Sequence, residues 1–190
     1  MKERGEIMAN LDQNTDRRLT EALGLIRYIP DYPAPGVLFQ DITPVLANGK
    51  ALSTIISAMS HFAPSADVIA GVEARGFILG SAIASSRGQG FVPIRKKGKL
   101  PHAVISRSYG LEYGQDEIEV HVDAFTPGQK VMLVDDVLAT GGTLIASIEL
   151  VEAAGGIVTD IVLLSEITIL EGRAKIQAIY PEITIHTLLS

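Results

Sequence analysis

Residues 131–144 read VMLVDDVLATGGTL, and the character of the chain changes three times within them. The four apolar residues at 131–134 predict a strand that is buried on both faces. Asp135 and Asp136 follow directly, where we expect this strand to end. A glycine-rich turn then leads into a helical pattern that starts at Thr143. The segment therefore predicts a strand, turn and helix of an α/β fold.

The turn at Gly141 and Gly142 has the properties of a phosphate site. Glycine allows positive φ and has no Cβ, so consecutive backbone N–H groups can point at one anion. The helix that begins beside them adds a partial positive charge. Carboxylates only accept hydrogen bonds, so Asp135 and Asp136 suit the hydroxyl groups of a ribose rather than its phosphate. Together these features predict a site for a ribose 5-phosphate.

Two familiar nucleotide motifs are absent from this segment. No lysine follows the glycines, as a P-loop requires, and there is no G-x-G-x-x-G of a dinucleotide fold. The structural alternative is an ordinary crossover, in which Asp136 caps backbone groups and the glycines only form a tight turn. Two acids and two threonines in one short stretch favour the binding site over that alternative.

The sequence VDDVLATGGT at 134–143 resembles the phosphoribosyl diphosphate (PRPP) signature of type I phosphoribosyltransferases, in the form found in adenine phosphoribosyltransferases. The resemblance implies that these residues bind the 5-phosphate and ribose of PRPP. The residues concerned are Asp135, Asp136, Ala139, Thr140, Gly141, Gly142 and Thr143.

The composition indicates one domain, which we expect to cover residues 16–190 after a mobile tail at 1–15. The 190 residues are 47% hydrophobic and carry a net charge of -6, which argues against nucleic-acid binding. There is no cysteine, and the four histidines lack ligand spacing, so we expect no metal site made of protein ligands alone. No apolar run has the length of a membrane span, and residues 1–20 are too polar for a signal peptide. A cytoplasmic protein is the simplest expectation.

A second strand and helix, predicted at 67–71 and 77–86, enclose the turn Glu73-Ala74-Arg75-Gly76. A surface ion pair between Glu73 and Arg75 is the structural alternative, but a guanidinium at the start of a helix also suits an anion. The matching turn of the resembled family binds the diphosphate side of PRPP. The resemblance therefore implies that role for Glu73, Ala74 and Arg75, with Ala74 in place of a serine that is common in the family.

Four of the sixteen basic residues lie in RKKGK at 95–99, directly after a predicted strand at 91–94. A solvated loop is the usual fate of a charge run. In an acidic protein, however, a basic strand end is where a substrate with several phosphates would find compensating charge. The run matches a Pro-x-Arg-Lys-x-Gly-Lys-Leu-Pro segment of the family, which implies diphosphate contacts for Arg95, Lys96 and Lys99.

Residues 100–115 predict a long loop, because proline and glycine interrupt every pattern before a strand begins near 118. A loop of this length in a compact domain is commonly a lid or a binding loop. Its LEYG sequence resembles the flexible catalytic loop of the family. The resemblance implies that Tyr109, Glu112 and Tyr113 belong to that loop, and that Glu112 approaches the purine as general acid or base.

The resemblance implies that the base is bound by a hood at about 25–45 and 165–190. A helix near 19–26 should end before Pro30, and the four prolines of 29–44 argue against regular structure across most of that run. On physical grounds the run is a cover for the core; its similarity to the family's base-binding loop makes it a pocket wall instead. The implied adenine contacts are Val37, Leu38, Phe39 and Ile167, although a core position is an equally good interpretation of Ile167. Gln40 stands where many members carry Arg or Lys.

Strands that alternate with helices through residue 164 predict a twisted, mostly parallel sheet flanked by helices, as in the type I phosphoribosyltransferase fold. Ligands bind beyond the carboxyl ends of such strands. The turns at 72–76, 95–99 and 135–143 should therefore converge on one edge of the sheet.

The resemblance implies transfer of the phosphoribosyl group of PRPP to adenine, which gives AMP and pyrophosphate, with Mg²⁺ held mainly by the diphosphate. Arg75 and Lys96 would stabilise the leaving pyrophosphate. Family members are usually homodimers. Two alternatives are a phosphoribosyltransferase for xanthine or another 6-oxopurine, and a non-catalytic PRPP sensor. The apolar surroundings of the expected base site argue against the first, and the lack of a basic helical module argues against the second.

Overall fold

The computed structural model describes residues 16–32, 34–111 and 114–189. The chain divides into two compact units, one up to Ala58 and the other from Met59 onward. The tail expected at 1–15 lies outside the described residues. Within them, no helix combines the length and the apolar character that crossing a membrane requires.

The first unit contains a two-stranded ribbon and short helices. Its elements are α1 (16–23), β1 (Arg27–Pro30), β2 (Leu38–Asp41), α2 (Thr43–Ala47) and the start of α3 (Gly49–Ser60). Strands β1 and β2 are antiparallel, with Ile29 opposite Phe39. The Asn48 side chain caps α3 by accepting the N–H groups of Lys50 and Ala51, both at 3.1 Å.

Two expectations for this unit were wrong. The first helix ends at residue 23, and Pro30 ends a strand rather than a helix. The proline-rich run was expected to be irregular, yet it includes β2 and α2. Both differences have a physical reason. Proline is tolerated in a strand that lacks a neighbour on one side, and Pro44 occupies the first turn of α2, where an N–H has no helical partner.

The second unit is built on a seven-stranded sheet in the order β5-β6-β4-β3-β7-β8-β9. The five strands from β4 to β9 in this order are parallel, whereas β6 is antiparallel to β4 and β5 is antiparallel to β6. The elements are β3 (Val68–Val72), α4 (Arg75–Arg87), β4 (Gly90–Lys96), β5 (Val104–Leu111), β6 (Gly114–His121), β7 (Lys130–Leu138), α5 (Gly142–Ala153), β8 (Ile157–Glu166), a 3₁₀ turn (Thr168–Leu170), α6 (Gly172–Ile179) and β9 (Thr184–Leu189). The predicted α/β fold with a mostly parallel sheet is confirmed.

The core of this unit lies on the central strands. Residues 131–134 of β7 and 161–164 of β8 are fully buried, as expected for parallel strands covered on both faces. Leu144, Ile148 and Val151 of α5 pack into the same cluster. The apolar pattern of the opening segment therefore fixes β7 in the centre of the sheet and α5 against it.

Two elements differ from the sequence expectation. Strand β7 continues to Leu138, so Asp135 and Asp136 lie within the strand rather than after it, because β8 supplies ladder partners as far as Glu166. The region expected to be a loop at 100–115 is largely the antiparallel ribbon of β5 and β6, paired from Val104 with His121 to Leu111 with Gly114. Strand β5 carries polar side chains and shows no apolar alternation, since an edge ribbon does not need a buried face, so a hydrophobic pattern does not predict it.

Candidate active site

A cavity of about 340 Å³ opens at the carboxyl ends of β3, β4 and β7. The turn after β3, the end of β4, the ribbon and the segment after β7 all contribute to its wall. The structure thus brings together most of the residues that the sequence nominated for PRPP, together with Tyr109 of the expected catalytic loop. They are Glu73, Ala74, Arg75, Lys96, Tyr109, Asp135, Asp136, Ala139, Thr140, Gly141, Gly142 and Thr143.

The phosphate loop, residues 139–143, runs into the N terminus of α5. Gly141 has φ of +84°, a left-handed conformation that favours glycine, and no side chain of the described residues caps this helix. The first turn of α5 also contains no acidic residue. The backbone N–H groups at the start of α5, together with the helix dipole, therefore remain for an anion in the cavity.

Two glycines outside the phosphate loop allow two helices to pack closely against β7 beside the cavity. A Cβ on Gly172, at the start of α6, would meet Leu138 Cδ1 at 2.7 Å and the carbonyl oxygen of Ala139 closer still. A Cβ on Gly76, in the first turn of α4, would meet the Val134 carbonyl oxygen at 2.7 Å. Both helices thus approach the end of β7 at a distance that only glycine permits. The sequence nominated neither glycine as a site residue, because a single glycine beside an arginine at the start of a helix is too weak a signal.

Asp135 and Asp136 form an acid pair beside the phosphate loop. The Asp136 carboxylate is 2.9 Å from Arg75 Nη1, and the Asp136 N–H donates to Asp135 Oδ1 at 2.9 Å. Burial raises the pKa of Asp136, against the opposing charge of Arg75. Burial, and then the charge of Asp136, raise the pKa of Asp135 well above 3.8. Burial therefore destabilises negative charge on this pair, and hydroxyl donors or a cation would stabilise it.

A second network crosses the cavity from β4 to the ribbon. Lys96 Nζ lies 3.0 Å from Asp116 Oδ2, and the Tyr109 hydroxyl donates to the same oxygen at 3.1 Å. Burial alone would raise the pKa of Asp116, but hydrogen bonds from Lys96, the Glu117 N–H and Tyr109 bring it below 3.8. The hydrogen bond to Asp116 and its charge raise the pKa of Lys96. Both groups therefore stay charged at neutral pH.

Asp116 was missed by the sequence analysis. It lines the cavity and lies opposite Tyr109 in the β5–β6 register. A hairpin pairing centred on LEYG would have placed Asp116 across from Tyr109, but that pairing was not evident once the region was interpreted as a loop.

The basic turn 95–99 is fixed by two carboxylates. Glu73 accepts the Lys96 N–H at 2.8 Å and the Arg95 Nε–H at 3.3 Å, and buried Glu119 accepts the N–H groups of Lys99 and Leu100, both at 2.9 Å. The ion pair considered between Glu73 and Arg75 is thus replaced by two others, Glu73 with Arg95 and Arg75 with Asp136. Arg95 and Lys99 hold this turn and do not line the cavity described above, so their contact with a diphosphate stays a prediction.

The remaining nominated residues lie elsewhere. Glu112 and Tyr113 fall outside the described residues. In the first unit, Val37 and Leu38 are exposed, and Phe39 makes an edge contact with Tyr32 at 5.1 Å between ring centroids. In the second unit, half-buried Ile167 donates its N–H to the Leu138 carbonyl at 2.8 Å, directly beyond β8.

Comparison with known proteins agrees with this geometry. A family model described as "Phosphoribosyl transferase domain" matches residues 40–176. The adenine phosphoribosyltransferase of a Nocardioides species is 52% identical over 161 residues, which cover 82% of this chain and 87% of that protein. The crystal structure of adenine phosphoribosyltransferase from Thermoanaerobacter pseudethanolicus has a TM-score of 0.84 at 48% identity, and the match covers 90% of this chain and 98% of that one.

A more distant relative has the same fold. The adenine phosphoribosyltransferase of Saccharomyces cerevisiae, crystallised with an imino-altritol bisphosphate and adenine, has a TM-score of 0.85 at 34% identity. The match covers 92% of this chain and 99% of the yeast chain. This chain therefore belongs to the phosphoribosyltransferase family, and within it to the adenine phosphoribosyltransferases.

Proposed function

We propose that this chain transfers the 5-phosphoribosyl group of PRPP to adenine in purine salvage, forming AMP and pyrophosphate. The observation that carries the proposal is the single cavity that combines an uncapped helix N terminus, an acid pair and two cations, Arg75 and Lys96. These groups match the 5-phosphate, the ribose hydroxyls and the diphosphate of one substrate. The choice of adenine as the base rests on the relatives named above, which are adenine phosphoribosyltransferases.

The phosphate loop is proposed to bind the 5-phosphate, while Asp135 and Asp136 accept hydrogen bonds from the ribose hydroxyls. Holding both ends of the ribose would fix C1 against the attacking purine nitrogen, which lowers the entropic part of the barrier. As the bond from C1 to the diphosphate oxygen breaks, negative charge grows on the leaving group. Arg75 and Lys96, which both line the cavity, are placed to stabilise that charge.

Mg²⁺ is the proposed cofactor. No cluster of three or more His, Cys, Asp or Glu side chains that could hold a metal occurs in the described parts of the chain. A site with one or two carboxylates and substrate phosphate oxygens is, however, the usual setting for this ion. Asp135 and Asp136 fit that donor set. When bound, Mg²⁺ would neutralise charge on the diphosphate and favour its departure.

Several parts of the proposal rest on the family resemblance. Glu112 is proposed as the general acid or base at the purine, with Tyr113 in the same loop. Val37, Leu38, Phe39 and Ile167 are proposed as adenine contacts. The homodimer and the cytoplasmic location also stay predictions.

The decisive assay compares adenine, hypoxanthine, guanine and xanthine as acceptors with PRPP and Mg²⁺. We expect nucleotide and pyrophosphate to form with adenine at least about a hundredfold faster than with the other bases, because their oxo groups would be left without hydrogen-bond partners in the apolar site proposed for the base. Preference for xanthine would support the 6-oxopurine alternative. Tight binding of PRPP without turnover of any base would support a sensor.

A further inference from the structure

Asp116 is an anion in a cavity that we assign to a polyanionic substrate. Its carboxylate is three-quarters buried and lines the same wall as Arg75 and Lys96. A carboxylate near a diphosphate should repel it, so packing alone does not account for this charge. Its partner is Lys96, the cation that the proposed function assigns to the diphosphate.

Three hydrogen bonds converge on the Asp116 carboxylate. One oxygen accepts from Lys96 Nζ and from the Tyr109 hydroxyl, and the second oxygen accepts the Glu117 N–H at 2.9 Å. Tyr109 lines the same cavity as Thr143 of the phosphate loop. One carboxylate thus connects β4 with the ribbon at the wall of the cavity.

We infer that Asp116 is a positioning residue that acts as an internal stand-in for the diphosphate. It holds the Lys96 ammonium at the cavity when no diphosphate is bound, and it competes with bound diphosphate for the same ammonium. This inference rests on the proposed function for the role of Lys96. Competition of this kind lowers the affinity of PRPP and of pyrophosphate alike, so it favours release of the pyrophosphate product.

Asp116 binds the Lys96 ammonium weakly enough for a diphosphate to displace it. Lys96 remains about half exposed, so its ion pair with Asp116 is weak enough for a diphosphate to break. A lysine side chain has several rotatable bonds, and a fixed partner keeps it from dispersing into solvent between turnovers. When diphosphate binds, the Lys96 ammonium only has to exchange the Asp116 carboxylate for a diphosphate oxygen, so no further protein group has to enter the cavity.

The adjacent strand positions supply a matched control. Lys97 and Glu117 form a second ion pair across β4 and β6, with Lys97 Nζ 2.7 Å from Glu117 Oε2. Neither residue lines the cavity. Glu117→Gln therefore removes the same charge from the same pair of strands without touching the site.

The test measures binding of PRPP, pyrophosphate and AMP to the whole protein with Mg²⁺ by calorimetry, for wild type, Asp116→Asn and Glu117→Gln. Asp116→Asn should tighten PRPP and pyrophosphate by a common factor of about three to ten, the range expected for loss of a weak competing ion pair. AMP, which has no diphosphate, should change by less than about twofold, and Glu117→Gln should change no affinity.

Asp116→Ser provides a second loss of charge should the asparagine variant fold poorly, and the same pattern is expected of it. Diphosphate affinities that stay unchanged, or that weaken together with that of AMP, would overturn the inference and leave Asp116 as a structural residue. The outcome is separate from the proposed function. Tighter diphosphate binding in a protein that does not convert adenine would refute the reaction and keep the role of Asp116.

Discussion

Gly172 sits so close to the phosphate loop that one methyl group there would disturb the site. The added Cβ would overlap Leu138 Cδ1 and the Ala139 carbonyl oxygen, and the second of these cannot yield without moving the loop. We expect Gly172→Ala to lower the free energy of unfolding by about 1–3 kcal/mol, as overpacking does. It should also weaken AMP binding, as measured by calorimetry.

Gly49→Ala is the control for this substitution, because a Cβ at Gly49 meets nothing within 4 Å. AMP binding in Gly172→Ala that matches wild type would show that the close approach of α6 does not shape the phosphate loop.

Asp135 gives the acid pair a pH dependence of definite sign. Burial, and then the charge of Asp136, raise its pKa well above 3.8. Between pH 3.8 and the raised pKa, the folded protein therefore keeps a proton that the unfolded chain has released. The contribution of this group to stability therefore falls as pH rises from 3.8 through the raised pKa. Asp135→Asn keeps an acceptor for the Asp136 N–H and removes the charge. It should stabilise the free protein at neutral pH by on the order of 1 kcal/mol.

Thermal unfolding of Asp135→Asn between pH 4 and pH 8 checks this expectation. The advantage of the variant should shrink on acidification, and its PRPP binding should weaken because a ribose acceptor is lost. A variant that melts below wild type at neutral pH would contradict the raised pKa.

At the scale of single elements, the basic turn between β4 and β5 depends on Glu119 of β6. Burial alone would raise the pKa of Glu119, but hydrogen bonds from the Gly98, Leu100 and Lys99 N–H groups lower it, so the carboxylate is charged at neutral pH. Hydrogen bonds to a charged acceptor contribute about 1.5–3 kcal/mol each. Glu119→Ala should therefore loosen the turn and speed hydrogen exchange at Lys99 and Leu100.

Glu117→Ala, two residues earlier on β6, is the comparison for Glu119→Ala. Exchange that is equally fast in both variants would mean that strand pairing, and not the buried carboxylate, holds the turn.

The elements also show how far local sequence patterns reach. Strands β3, β7 and β8 were predictable, because continuous apolar runs are required wherever both faces are covered. Strand β5 and the start of β6 were not, since Ser106, Arg107 and Ser108 satisfy an edge strand without an apolar alternation. The end of β7 was missed for a related reason, because the ladder to β8 carries the strand through two acids that a local pattern interprets as a turn.

At the scale of the whole molecule, the convergence of three turns followed from topology alone, since the parallel strands β3, β4 and β7 end at the same edge. The charge pairs within the cavity did not follow. Arg75 of α4 meets Asp136 of β7, and Lys96 of β4 meets Asp116 of β6, between segments that are separate in sequence. Residue types therefore predict what the site binds, whereas the pairing that holds those residues before binding requires the three-dimensional structure.

The central claim is that this cavity carries out phosphoribosyl transfer, and neighbouring lysines on β4 test it most directly. Lys96 lines the cavity, whereas Lys97 pairs with Glu117 outside it. The measurement is kcat/KM for PRPP in AMP formation from adenine, for Lys96→Gln and Lys97→Gln beside wild type. Loss of a cation at the leaving group should lower kcat/KM by about 10²-fold or more in Lys96→Gln. Lys97→Gln should stay within about twofold of wild type. Equal rates in the two variants would contradict the claim that this cavity is the active site.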